Sequence, residues 1–499
     1  MNWAILAAVL VYEVALIFGL GLYFANQQKK QAAGGHGFLL SNRDLPAAVV
    51  AVTMALTVLG TPHIFGMFEM SWFIGATSIW FGLAHAVLLV FTITTTAIWA
   101  RRMKVTSMPE FIAMIFGEVP RLMVGCVMAG VIWGLLTLES QGMGIIFATM
   151  TDLSIQQGAI IGGILGILYV VFAGMKEIGW VNLVNMVVMY IGLILTMIYI
   201  TAGMPEGGWQ RVQSFYIDAD EAHMLSLFGT PELLVTFALA TVLSTVFCQS
   251  INQQLLQPAM AAKSEKTIRK TLWIAVPLNA LFGVFMATIG LAAKADPVAA
   301  ELGPKLAAPA MLLNTLPPWL VAWLMASLLA AMLSTFAMSS LAPATIFTVD
   351  VYRNFFNPDA TEAQERRVTR IMVVILGAAA FLVAGFMPTI LNAINWIFAW
   401  LTPVFWLVII GLFWKRSSLA AILTMAVTWV VNSAWSFTSL PAMLGMEGQP
   451  NVYPSLAVGL GLCLILHAIL PGQPGLFCGP KGSRITRADL DGVQTMPAE

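Results

Sequence analysis

Ala331-Met-Leu-Ser334-Thr335-Phe-Ala-Met-Ser339-Ser340-Leu-Ala-Pro343-Ala-Thr345-Ile-Phe-Thr348-Val-Asp350-Val-Tyr352-Arg353 runs a row of hydroxyls through an apolar segment, with no charge before Asp350. Two readings compete for it. Ser and Thr in a membrane helix bond back to carbonyls four residues earlier, or pack a close helix contact. Clustered at one depth, they also offer neutral oxygens to a small hard cation such as sodium. Taken alone the segment favours the first reading; the rest of the chain reverses the balance.

Composition sets the class. The 499 residues are 59% hydrophobic and 10% charged, with a mean hydropathy of +0.86, which is the composition of a polytopic membrane protein. A net charge of zero is uninformative, because the placement of the charges carries the signal. Cys126, Cys248, Cys463 and Cys478 show no CxxC or Cys/His spacing, so neither a disulfide framework nor a zinc site is indicated. The first apolar segment lacks a basic leader, contains Glu13 and is followed by Lys29-Lys30, so it reads as a retained span.

A span length of roughly 20 residues gives thirteen helices near 3–25, 45–68, 72–100, 121–149, 158–174, 178–202, 231–256, 271–293, 312–346, 370–388, 391–414, 418–438 and 452–471. With the N-terminus outside, all of the 24 Lys and Arg residues except Arg211, Lys294 and Lys305 fall on the cytoplasmic side. Residues 1–472 are thus expected to form one transporter-like membrane domain in a cell membrane, expected to be a bacterial inner membrane. Residues 473–499, rich in Gly, Pro and polar residues, are expected to be a disordered cytoplasmic tail. No Lys or Arg sits mid-span, which removes a voltage sensor. No phosphate-binding motif or soluble domain provides for a nucleotide, which removes a primary pump. A secondary transporter remains.

The second helix reads Thr53-Met-Ala-Leu56-Thr57-Val-Leu59-Gly60-Thr61-Pro62-His63-Ile-Phe-Gly66, with Gly and Pro where they interrupt the ladder at mid-membrane. The seventh, Leu243-Ser244-Thr245-Val-Phe-Cys248-Gln249-Ser250-Ile-Asn252-Gln253-Gln254, is equally polar. Two interrupted helices five elements apart are the mark of an inverted repeat, here about 45–202 and 231–414.

Ordered blocks over roughly 38–416 resemble the sodium/solute symporter family, which includes sodium-coupled sugar, proline, pantothenate and sialic acid carriers. They are Phe38 to Pro46, Phe65-Gly66 with Gly75, Ser107-Met108-Pro109-Glu110, Asn252-Gln253 through Gln257 to Ala261-Ala262-Lys263, Ala331 to Tyr352, and Gly411-Leu-Phe-Trp414-Lys415. The resemblance implies an all-α integral membrane protein of the leucine-transporter (LeuT) type. Its ten-helix, five-plus-five core would carry one extra helix before it and two after. It also implies a sodium site made by Ser334, Thr335 and the Ala331 carbonyl on the eighth core helix, with the Leu56 and Leu59 carbonyls on the broken first one. Where the family often has Trp-x-Asp, this chain has Trp180-Val181-Asn182. That points to one sodium per cycle, and leaves Asn182 as a position to watch for coupling. By the same matching, His63, His85, Thr245, Cys248, Gln249, Asn279 and Asn395 line the solute site, with Trp396 as an apolar wall.

The matched positions lack the Glu and Lys of a sugar carrier, so a small organic acid or amino acid is favoured, its carboxylate held by His63 and the amides freed near Gly60–Pro62. Glu139, deep in its span, reads either as a structural acid bonded to Ser140 or Gln141 or as a proton-coupling group. Three functional readings follow. They are a sodium-coupled carrier, a proton-coupled carrier resting on Glu139 and His63, and a sensor keeping the transporter fold, for which the tail is short. The expected partners are a small solute, the transported sodium ion and the lipid bilayer, with no nucleic acid. No metal or nucleophile spacing supports an enzyme.

Overall fold

The apolar runs form helices because a backbone in lipid must satisfy its own hydrogen bonds. In the computed structural model, which describes residues 3–20, 37–172, 175–203, 207–387 and 390–490, ten helices are long and apolar enough to cross a membrane. Three shorter apolar helices, Ala4–Val14, Ala47–Val58 and Ile155–Val171, lie where the sequence predicts further spans.

The principal helices are α1 (Trp3–Val14), α2 (Ala47–Val58), α3 (Met67–Ile74), α4 (Ile79–Thr94), α5 (Thr96–Arg102), α6 (Met108–Phe116), α7 (Glu118–Met150), α8 (Ile155–Phe172) and α9 (Met175–Ile198). Then follow α10 (Ala240–Gln249), α11 (Gln253–Met260), α12 (Glu265–Lys294), α13 (Pro318–Ile346), α14 (Glu362–Val383), α15 (Ile390–Ala399), α16 (Thr402–Phe413), α17 (Ser418–Phe437) and α18 (Val452–Ile469). The connecting helices Trp209–Asp218 and Gly303–Thr315, with shorter helical turns, join them.

Lipid inverts the usual logic of sidedness. On α9, Val184, Val187, Ile191, Ile194 and Ile198 are exposed while Asn182 and Asn185 are buried on the opposite face. Tyr12 on α1 donates to Asn185 Oδ1 at 3.1 Å, which docks the first helix on α9. The hydroxyl-rich α13 is the central helix, with every residue from Leu324 to Ile346 buried. Its Ala and Ser side chains allow the close approach that membrane helices need. The helices α4 and α12 cross at Gly82 and Gly283, where a Cβ on Gly82 would stand 2.8 Å from the Gly283 Cα. Each glycine is required by the other's backbone.

Both expected interruptions are present. The helical path stops at Val58, bends through Leu59 and Gly60, and resumes in a π-helical turn, Pro62–Gly66. The α10–α11 path opens at Ser250–Asn252, where Asn252 Oδ1 accepts the Gln254 N–H at 3.0 Å and caps α11. A third interruption, at Trp400–Leu401, divides what the sequence suggests is one span into α15 and α16. The cause is Pro403, which cannot donate to the Ala399 carbonyl.

The tail departs from expectation. Lys415–Arg416 (β1) pairs antiparallel with Gln473–Pro474 (β2). Phe477 then packs edge-on against Trp99 of α5 and Phe413 of α16, at 5.6 and 5.3 Å between ring centroids. Arg487 pairs with Glu110 at 2.6 Å, and Arg102, paired with Glu265, also bonds the Ser483 carbonyl. Apolar burial and these ion pairs order residues 473–490; 491–499 lie outside the described residues.

Candidate ion and solute site between the interrupted helices

The break at Leu59–Gly60 redistributes the hydrogen bonds of a regular helix, and each change has a residue behind it. The Val58 carbonyl loses its donor because residue 62 is proline. His63 N–H turns to the Gly60 carbonyl at 2.9 Å, so the Leu59 carbonyl loses its donor as well. Thr61 N–H leaves the Thr57 carbonyl and donates to Glu139 Oε2 of α7 at 2.9 Å, reinforced by the Thr61 hydroxyl at 3.0 Å. The Thr57 carbonyl instead accepts from Gln254 Nε2 at 3.3 Å, and the same amide donates to Ser339 Oγ of α13 at 2.8 Å. Side chains from three other helices thus hold the break open.

On the facing side, Thr335 Oγ1 of α13 lies 2.8 Å from the Leu56 carbonyl and 3.1 Å from the Ala331 carbonyl. Beside it, Ser334 Oγ is buried with no hydrogen-bond partner. An orphaned buried hydroxyl is costly. The Thr335 hydroxyl and the Leu56 and Ala331 carbonyls bring neutral oxygens together between α2 and α13, chemically suited to a hard cation.

Next to this set is a small cavity of about 20 Å³, room for about one water. Thr57, His63, His85, Glu139, Gln249, Gln254 and Thr335 are its polar lining; Val58, Pro62, Phe81, Leu135 and Phe398 are its apolar lining. The rings of His63 and His85 meet edge-on at 4.2 Å, and Phe81 lies 4.6 Å from His63. His85 Nδ1 is 2.8 Å from the Phe81 carbonyl, which only accepts, so the proton sits on Nδ1. Nε2 then accepts from the Gln249 amide at 2.9 Å. Neither ring nitrogen of His63 has a partner, and the Val58 carbonyl acts on the ring without meeting hydrogen-bond geometry. His63 lines the cavity with its ring beside that carbonyl.

The expected solute residues therefore divide. His63, His85 and Gln249 converge on the cavity. Thr245 and Cys248 are buried on the same helix as Gln249 but outside the lining, and the Thr245 hydroxyl has no partner. Asn279 bonds back to the Ala275 carbonyl at 3.3 Å within α12 and does not line the cavity. Trp396 is corrected: it is 38% exposed and packs against Trp400 and Phe437, since its face of α15 turns outward. Phe398, two residues on, is the aromatic that reaches the cavity. The side chain of Asn395 lies outside the described residues. Asn182 is buried with both amide atoms unpartnered.

Two further expectations change. Glu139 bonds neither Ser140, which donates to the Leu136 carbonyl, nor Gln141; it bonds Thr61 of the broken helix. Of the amides meant for a solute carboxylate, Thr61 N–H is taken by Glu139 and Pro62 has none. Gln254 escaped the sequence reading, although the amide run Gln253-Gln254 with Gln257 just past a break was its signal.

The helical core, the paired interruptions and the oxygen cluster between them define a solute transporter. The chain belongs to the sodium:solute symporter family, whose model matches residues 38–428. It is 24% identical over 430 residues to the uncharacterized symporter YidK of Escherichia coli, covering 80% of this chain and 73% of that one. To the sodium/glucose cotransporter of Vibrio parahaemolyticus it is 22% identical over 434 residues, covering 81% and 80%. Among solved structures, a Na+-coupled sialic acid symporter in a substrate-bound, outward-open state superposes with a TM-score of 0.80 at 17% identity, covering 94% of this chain and 98% of that one. The fold is that of the LeuT type, and the protein is a multi-pass membrane transporter, not an enzyme.

Proposed function

We infer that the protein is a secondary active carrier that couples the inward sodium gradient to symport of a small organic solute by alternating access. One sodium ion would sit among Leu56, Leu59, Ala331, Ser334 and Thr335. The observation that carries this is the Thr335 hydroxyl shared between the Leu56 and Ala331 carbonyls, with the orphaned Ser334 hydroxyl beside it. An ion there ties α2 to α13 in one arrangement of the helices, raising solute affinity, and the linkage is reciprocal. The solute would meet His63, His85 and Gln249, against Phe81 and Phe398. An organic acid or amino acid is favoured over a sugar. We place the protein in a bacterial inner membrane with the basic loops and the tail in the cytoplasm.

A proton-coupled cycle is the competing reading, because Glu139 holds the broken helix directly. The test screens purified protein for thermal stabilisation by amino acids, organic acids and sugars, with and without sodium. Hits are then followed into proteoliposomes. Uptake that follows a sodium gradient, and is lost in the Ser334→Ala/Thr335→Val double variant, is expected. Accumulation driven by protons without sodium would transfer the assignment to Glu139.

A further inference from the structure

Resting on the sodium reading, we propose that Glu139 is the counter-charge of the transported ion, so that the cation site is divided between α13, which gives neutral oxygens, and α7, which gives the negative charge. All five oxygens named for sodium are carbonyls or hydroxyls. Asn182, also buried, brings no charge. Asp350 is committed to Arg121 at 2.7 Å. Among the described residues lining the cavity, Glu139 is the acid, and Thr335 lines the same cavity. A cation moved from water into a site of neutral dipoles at mid-membrane loses hydration energy that a nearby carboxylate restores.

The contact is built into the packing. A Cβ on Gly60 would lie 2.2 Å from Glu139 Oε1, and one on Gly142 would lie 2.0 Å from Thr61 Oγ1. Both glycines clear the space in which the carboxylate reaches the break. Through Oε2 it grips Thr61, two residues beyond Leu59. The carboxylate is therefore attached to the very segment that presents the Leu56 and Leu59 carbonyls.

A helix-capping acid with no role toward the ion would be placed in the same way, and two substitutions separate these roles. Glu139→Gln keeps the length and an acceptor oxygen for Thr61 N–H but removes the charge. Glu139→Asp keeps the charge but shortens the reach to Thr61. Sodium binding is read on purified full-length protein as the rise in melting temperature with NaCl, ionic strength being held with KCl. The counter-charge proposal expects half-saturation to shift by about tenfold or more in Glu139→Gln and by less in Glu139→Asp. Wild-type-like sodium response in Glu139→Gln, or weaker binding in Glu139→Asp than in Glu139→Gln, would overturn it. A wild-type protein indifferent to sodium would instead overturn the sodium reading itself, before any variant is compared.

Discussion

Ser334→Ala should change sign between two buffers. The Ser334 hydroxyl is buried on α13 without a hydrogen-bond partner, so the sodium-free protein bears its desolvation cost unrelieved. A buried unsatisfied polar group costs about 1–3 kcal/mol, and a single oxygen leaves little void when removed. Without sodium, the Ala variant should melt at the wild-type temperature or slightly above it. With sodium, one of five ligands is gone. Taking the worth of a polar contact to a charged group, about 1.5–3 kcal/mol, affinity should fall about tenfold to a hundredfold. At a sodium concentration 100 times the wild-type Kd, binding stabilises by about 2.7 kcal/mol; a thirtyfold weaker site retains about 0.9 kcal/mol. The assay is intrinsic tryptophan fluorescence on heating, across a sodium titration at constant ionic strength. A variant destabilised without sodium, yet with an unshifted sodium titration, would show that the hydroxyl serves packing and that the orphan was misread.

Other perturbations test the remaining parts. His63→Ala should weaken solute binding about tenfold to a hundredfold and leave the sodium titration nearly unmoved, measured by the same melting assay with a stabilising solute; unchanged solute affinity would return His63 to packing. Asp350→Asn should destabilise by about 3–5 kcal/mol, because Arg121, itself only 9% exposed, keeps just the half-exposed Glu118 as an acid partner; denaturation midpoints will report it. Phe477→Ala should cost about 3–5 kcal/mol of local stability and free residues 473–490 to hydrogen exchange while the spans stay protected. A tail already exchanging freely in the wild type would contradict the docking.

What the sequence made legible was local. Gly60 and Pro62 stand where the helix must break, and Ser334 and Thr335 stand on one turn. Both follow from residue chemistry within a few positions. Glu139's choice of Thr61 was not legible, because the partners are 78 residues apart and meet only when α7 packs across the break. Trp396 illustrates the same limit: an apolar helix in lipid has no polar face to announce which side turns inward, so matching placed the wrong aromatic at the cavity. Pro403 carried a readable signal for the third interruption. The tail misled by composition, since its Gly and Pro residues hide one wedge, Phe477, whose partners Trp99 and Phe413 lie far earlier in the chain.

That wedge turns the tail into a reporter. Phe477 is seated between Trp99 of α5 and Phe413 of α16, so any separation of these two helices on that side must pull or release it. The next residue, Cys478, is exposed, with Sγ 3.3 Å from the Phe413 carbonyl. With Cys126, the other exposed cysteine, replaced, an environment-sensitive dye on Cys478 would follow the seating and release of Phe477 in real time, without introducing a new thiol.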